Sequence, residues 1–244
     1  MGMVLGLATA LCWGSADFCA RFAIRSIGTF RTMLYMQLTG LVLLTLAMPW
    51  LGGWGLLAHG SDWRVWAWGI GPGLLNTLGT LALYRSFEIG KMSIVAPISA
   101  AYPALTMVLS AMTGERLTVA RFAGVVLIIV GVALVAHGEK VPGDVNVLEP
   151  NRPAKKYLGV GWALLAASGF GVMFWLLGTR VVPILGAAPS VWVIRLVSAL
   201  TTAVVMLAAR RPMQMPAPGV NRWILGIGML DTGAYVLNNY GMAH

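Results

Sequence analysis

Residues 92–113 read MSIVAPISAAYPALTMVLSAMT, from Met92 to Thr113, with no Asp, Glu, Lys, Arg or His. At 1.5 Å per residue, about 20 such residues cross the ~30 Å hydrocarbon core of a bilayer. The run is too long for a buried strand and too apolar for the surface helix of a water-soluble domain. Pro97 and Pro103 would argue against a helix in water. In lipid they are tolerated where neighbouring helices satisfy the freed carbonyls. The stretch therefore predicts a membrane-spanning helix.

Seven further runs on either side read the same way: Gly2–Ala23, Thr32–Pro49, Trp66–Tyr84, Val119–Ala136, Tyr157–Thr179, Ala187–Ala209 and Trp223–Met242. Pro72 lies inside the third span, and Trp50, Trp54, Trp63 and Trp66 crowd one connection, as an interfacial belt would. Composition agrees, at 58% hydrophobic and 10% charged residues. A soluble domain of this size could neither hide so much apolar surface nor cover the remainder with so few charges. The net charge of +9 does not point to nucleic acid, because the basic residues sit scattered at the ends of apolar runs. Cys12 and Cys19 lie about 10 Å apart along one helix, too far for a disulfide. The first run lacks the basic flank of a cleavable signal peptide.

A polar linker over residues 139–156, holding Pro142, Gly143, Pro150 and Pro153, divides the chain. The two sides repeat. At one constant offset Gly6 meets Gly161, Gly14 meets Gly169, Gly71 meets Gly226, Gly73 meets Gly228, Asn76 meets Asp231 and Thr77 meets Thr232; the second spans align with a small shift, Gly28 to Gly186. Five spans per unit is an odd number, so the second copy enters the membrane from the opposite side, as in the inverted repeats of secondary transporters. The expected fold is all-α and integral to the membrane: a polytopic bundle of two inverted five-helix repeats, residues 1–138 and 157–244. The second copy reaches only its third helix at His244, so about eight of ten helices are present and about 50 further residues are expected to complete it.

The stretch Leu83–Ile98, LYRSFEIGKMSIVAPI, resembles the junction of the third and fourth helices in the EamA branch of the drug/metabolite transporter superfamily. Tyr102-Pro103, the loop Gly114-Glu115-Arg116-Leu117 with Gly124 and Gly131 beyond it, and Trp13-Gly14-Ser15 resemble further signatures of that family. The likeness covers nearly the whole chain and is strongest over residues 83–135. It implies ten helices around a central cavity, and transport of metabolites, amino acids or drugs, usually outward and often coupled to an ion gradient. The bacterial cytoplasmic membrane is the location that goes with it, and a small-molecule solute and protons are the partners beside the lipid bilayer.

Polar residues in hydrocarbon are costly, so each demands a reason. Asp17 is either a protonatable coupling acid or a partner of Arg21 one turn on. Asp231 is either a coupling acid or a carboxylate satisfied by a neighbouring hydroxyl or by Arg195. Arg195, with Gln37 as its repeat equivalent, either clamps an anionic group or serves in a structural pair. Asn76, Thr80 and Tyr84 share one helix face, and Asp231, Tyr235 and Asn239 share the equivalent face in the second copy. These two stripes line a cavity or act as interhelical hydrogen-bond glue. Trp13, Tyr102 and Trp175 are candidates to line the same cavity. Gly69 and Gly73 make a small-residue pair for close helix packing.

No phosphate-binding glycine loop, zinc-protease helix or nucleophile elbow occurs, and His59, His137 and His244 lie far apart in sequence. No enzyme, cofactor or metal is expected. Of the 17 Lys and Arg, Arg195 lies within a span, four (Arg64, Arg116, Arg121 and Arg180) fall in even-numbered connections and the rest in odd-numbered ones. That bias puts the N-terminus outside, whereas the resemblance puts it inside. The alternative to transport is a membrane scaffold or a subunit that handles lipid carriers. The protein is expected to require detergent in solution; a monodisperse size-exclusion peak in plain buffer would overturn the membrane reading.

Overall fold

In the computed structural model, which describes residues 2–51, 53–54, 63–115, 118–137, 158–216 and 218–243, eight helices cover the eight expected spans, and no strand occurs among the described residues. In chain order they are α1 (Gly2–Ile27), α2 (Thr29–Ala47), α3 (Trp63–Ile89), α4 (Met92–Met112), α5 (Val119–His137), α6 (Val160–Leu185), α7 (Ala187–Ala208) and α8 (Pro218–Ala243). The expected linker, residues 139–156, lies outside the described residues, as do His59, Arg116, Tyr157 and His244.

Among the described residues, four helices are long and apolar enough to cross a bilayer on average hydropathy: α2, α4, α6 and α7. The helices α1, α3 and α8 have the length, at 26, 27 and 26 residues, but lower mean hydropathy. Their polar residues account for this, because each of these helices is two-faced. Val4, Leu7 and Leu11 on α1, Ile70, Leu74 and Leu78 on α3, and Leu225 and Met229 on α8 form outward apolar stripes at helical spacing. Asn76 and Thr80 on α3, and Thr232 and Asn239 on α8, are buried. Oily outside and polar inside is the reverse of a water-soluble bundle, and it is what a lipid solvent selects.

Two spans depart from a plain α-helix, each at a proline. Pro103 has no N–H to offer the carbonyl of Ser99, and α4 breaks there into Met92–Ser99 and Tyr102–Met112, with the Ser99 hydroxyl donating back to the carbonyl of Val95 at 2.8 Å. In α6 the turn Leu177–Val181, just before Pro183, widens to a π-helix, and the N–H of Val182 reaches the carbonyl of Leu177.

The chain packs as two units. The first comprises residues 1–77 and 176–244, and the second residues 78–175. In the second unit Phe170 lies against Gly79, Leu105 against Gly171, and the Thr106 hydroxyl donates to the carbonyl of Gly171 at 3.0 Å. In the first unit α1 packs along α8, and α2 contacts both α7 and α8. The close approaches here use glycine: Val193 and Val197 of α7 press on Gly69 and Gly73 of α3, and Thr39 of α2 presses on Gly228 of α8.

Two glycines serve as hinges of one design. Gly28 joins α1 to α2 with φ 80 and ψ 166, and Gly186 joins the end of α6 to α7 with φ 81 and ψ 173. A residue one turn later returns its hydroxyl to the glycine carbonyl in both places, Thr32 at 2.9 Å and Ser190 at 2.5 Å. This backbone region is essentially closed to residues with a Cβ. Gly28→Ala and Gly186→Ala are each expected to destabilise the protein by about 1–3 kcal/mol, read as a lowered melting temperature in detergent. Gly6→Ala, inside α1 where a Cβ meets nothing within 4 Å, is the control expected to leave it level or raise it.

Candidate functional site

Within the first unit the polar faces of α2, the early part of α3, α7 and α8 converge. At the centre is Arg195, whose residue is 0% exposed. An unpartnered cation in this setting is strongly disfavoured, so its neighbours are the key to the site. Nη2 donates to Oδ2 of Asp231 on α8 at 2.5 Å, and Nη1 donates to Oε1 of Gln37 on α2 at 2.7 Å, with Sδ of Met36 at 3.5 Å. The guanidinium also lies over the ring of Tyr235, 5.0 Å from its centroid, a cation–π contact.

From Tyr235 a chain of hydrogen bonds leads away in one direction. The phenol donates to Oδ1 of Asn76 at 2.6 Å, Nδ2 of Asn76 donates to the Ser198 hydroxyl at 2.9 Å, and Ser198 donates to the carbonyl of Gly73 at 3.0 Å. Trp13 of α1 meets Tyr235 edge to face, centroids 5.3 Å apart. Asn239, two turns beyond Asp231, donates to the carbonyl of Ala187 at 3.3 Å. Asp17 on α1 is half-buried, and its carboxylate lies within electrostatic reach of Asp231. A second carboxylate therefore stands near the one that Arg195 pairs with.

The Asp231 side chain is 16% exposed while that of Arg195 is 1% exposed, so the anion faces the accessible side of the pair and the cation backs it. Asp231 occupies Nη2 alone. Three buried polar atoms beside it have no hydrogen-bond partner among the described residues: Nε of Arg195, Nε2 of Gln37 and the Thr232 hydroxyl. Gly40 makes this packing possible. A Cβ there would meet the Thr232 hydroxyl and, at 3.1 Å, Nε of Arg195.

Of the residues expected to line a site, Trp13, Gln37, Asn76, Arg195, Asp231 and Tyr235 come together, with Asn239 further along α8. Thr80 and Tyr84 are buried and belong to the second unit, as does Tyr102, which stacks on Phe174 at 4.9 Å and meets Phe170 edge to face. Trp175 is in the same unit, its indole N–H 3.4 Å from the Thr113 hydroxyl. Four participants escaped the sequence reading: Met36, Gly40, Ser198 and Thr232. Ser198 was detectable, since Arg195, Ser198 and Thr202 form an inward stripe at i, i+3 and i+7. Among the described residues no three His, Cys, Asp or Glu side chains gather as a metal ion would need.

Breaking a buried pair by removing one partner costs about 3–5 kcal/mol, whereas removing both costs far less than the sum. Arg195→Gln and Asp231→Asn are each expected to lower stability by about 3 kcal/mol, with the double variant closer to wild type than the two losses added. Strict additivity in the denaturation midpoints would show that the pair is not coupled.

Comparison with known proteins sets the chain beside a family, a relative and a solved structure. The family model described as the EamA-like transporter family matches residues 1–136. A protein of Methanocaldococcus jannaschii, named only as uncharacterized, is 30% identical over 139 residues, which is 55% of this chain and 95% of that protein. A crystal structure titled only as that of a protein shares the fold, with a TM-score of 0.67 at 19% identity, covering 98% of this chain and 79% of the other.

Proposed function

Because the chain belongs to the EamA-like transporter family, we propose that it is a secondary active transporter of small metabolites, amino acids or drugs, working outward and driven by protons, with its substrate route through the Gln37–Arg195–Asp231 neighbourhood. The observation that carries this reading is the buried polar set itself. Hydrogen bonds between spanning helices contribute only about 0.6–2 kcal/mol each, and helices can be held together without a buried ion pair. A cation, two carboxylates and three unpartnered polar atoms in one apolar bundle exceed what packing requires.

The roles follow from position. Asp231 faces the accessible side and is the acid that substrate and proton both meet. Asp17 is the second carboxylate, and Arg195 can neutralise only one of the two at a time. Gln37 and Tyr235 hold the guanidinium when Asp231 is otherwise engaged. Trp13 and Tyr235 give an aromatic wall.

The proposed frame is two inverted repeats, residues 1–138 and 157–244, joined by the linker over 139–156. Local geometry supports it at positions the sequence aligns. Gly28 and Gly186 adopt the same backbone conformation with the same hydroxyl return. The contact of Gly73 with Val197 has its counterpart in that of Gly228 with Thr39. Gln37 and Arg195, aligned partners, touch each other directly, as residues on either side of a two-fold axis do.

The test is flux in proteoliposomes under an imposed pH gradient, screened over amino acids and cationic dyes. Asp17→Asn is expected to abolish gradient-driven accumulation while leaving the folded yield at the wild-type level. Undiminished gradient-driven flux in Asp17→Asn would remove proton coupling through this residue. A wild-type protein inert to the whole panel, yet purifying with a fixed partner, would favour the scaffold instead.

A further inference from the structure

One end of the first unit gathers arginine. Arg21 and Arg25 lie in the last turns of α1, Arg31 opens α2, Arg210 and Arg211 close α7, and Arg222 lies just past the first turn of α8. Contacts join these segments. The Arg211 guanidinium lies over the ring of Phe30 at 5.1 Å, and the Tyr35 hydroxyl donates to the carbonyl of Met213 at 3.0 Å. Trp223 stacks on Phe22 at 4.6 Å with Arg222 over its ring at 5.0 Å. Arg25, Arg210, Arg211 and Arg222 are exposed, and Arg21 and Arg25 repel each other. The only acids among the described residues of this unit are Asp17 and Asp231, both inside their helices.

Ordinary helix chemistry does not explain this arrangement. Cations belong at helix C-termini, which suits Arg25, Arg210 and Arg211. Arg31 and Arg222 stand instead at the N-terminal ends of α2 and α8, where the helix dipole opposes a cation and favours an anion. Arg31 uses its Nε to cap the carbonyl of Ile27 at 2.9 Å; among the described residues no such contact is seen for the guanidinium of Arg222 beyond the indole.

The second sign is strain. Arg210 has φ 49, the one non-glycine residue with positive φ among those described. It occupies the left-handed position that ends α7, with its N–H bonded to the carbonyl of Leu207 at 3.0 Å and that of Arg211 to the carbonyl of Met206 at 2.8 Å. Glycine is the usual residue there. Keeping an arginine in its place costs folding free energy and retains a charge.

We propose that this end is a binding site for an anionic phospholipid, with the phosphate held by Arg210, Arg211 and Arg222 at the N-terminus of α8. The acyl chains lie along the strip formed by Trp223, Phe22 and Phe18. Phe18 is 55% exposed one turn further into the bilayer and meets Phe22 edge to face at 5.1 Å. A ladder that runs from exposed phenylalanine through tryptophan to arginine matches a lipid from tail to headgroup. A soluble polyanion would have no use for its lower rungs.

The test is native mass spectrometry of the full chain in detergent with equal phosphatidylglycerol and phosphatidylcholine, alongside melting temperatures. Wild type is expected to retain phosphatidylglycerol preferentially, and Arg211→Gln and Arg222→Gln each to lower that retention about fivefold. Arg210→Gly separates binding from folding: its melting temperature without added lipid is expected to stay level or rise, while phosphatidylglycerol retention falls. Equal retention of both lipids by wild type overturns the proposal, as does undiminished retention by the three variants. Inorganic phosphate that displaces phosphatidylglycerol at millimolar concentration would assign the arginines to a free anion and overturn the lipid.

Discussion

A guanidinium with no exposure in the middle of an apolar helix is the constraint that the first unit is organised around. A charge in that position must be met by geometry. Asp231 on α8 supplies the counter-charge, Gln37 on α2 a neutral acceptor, and Tyr235 the face of an aromatic ring. Together these contacts pin α2 and α8 to α7. Gly40 and Gly228 let α2 come close to α7 and α8, and the hydrogen-bond chain through Asn76 and Ser198 ties in α3. These two glycines let α2, α7 and α8 meet around one cation.

The sequence carried the helices well because their length is set by the bilayer and not by neighbours. All eight spans were legible from the spacing of charges. Where boundaries moved, local chemistry moved them: α3 runs on to Ile89 past Tyr84, and α6 continues through a π turn past Thr179 to Leu185. Average hydropathy alone undercounts α1, α3 and α8, since it cannot distinguish a polar residue that faces lipid from one that faces a partner. The alternation of stripes makes that distinction, and it is present in the sequence.

The candidate site was half legible. Any charge in a span draws attention, so Arg195, Asp231 and Asp17 stood out. Which charge meets which was not decidable, because a helix face fixes direction but not the identity of the helix opposite. Asn76 and Thr80 illustrate the limit. They lie on one face of α3, yet Asn76 joins the network around Tyr235, while Thr80 lies in the second unit. Ser198, Thr232 and Met36 were passed over because a hydroxyl or thioether in a span raises no alarm on its own. Their roles come from what stands beside them.

In the proposed inverted repeat, backbone and charge obey different rules. The hinges at Gly28 and Gly186 match, as do the glycine contacts of α3 with α7 and of α8 with α2. The aligned side chains do not: Gln37 stands where the second copy has Arg195, Asn76 where it has Asp231, and Gly40 where it has Ser198. Both charges of the pair thus belong to one copy, and at the aligned positions the other copy contributes a neutral acceptor and space. The requirement of charge neutrality explains this division. A second Arg–Asp pair on the other side of the axis would bring two guanidiniums together where Gln37 now touches Arg195, and like charges at hydrogen-bond distance in a dry interior are not compensated by any contact present. A duplicated frame can keep its symmetry in glycine and hydroxyl, but at its axis it has room for only one cation.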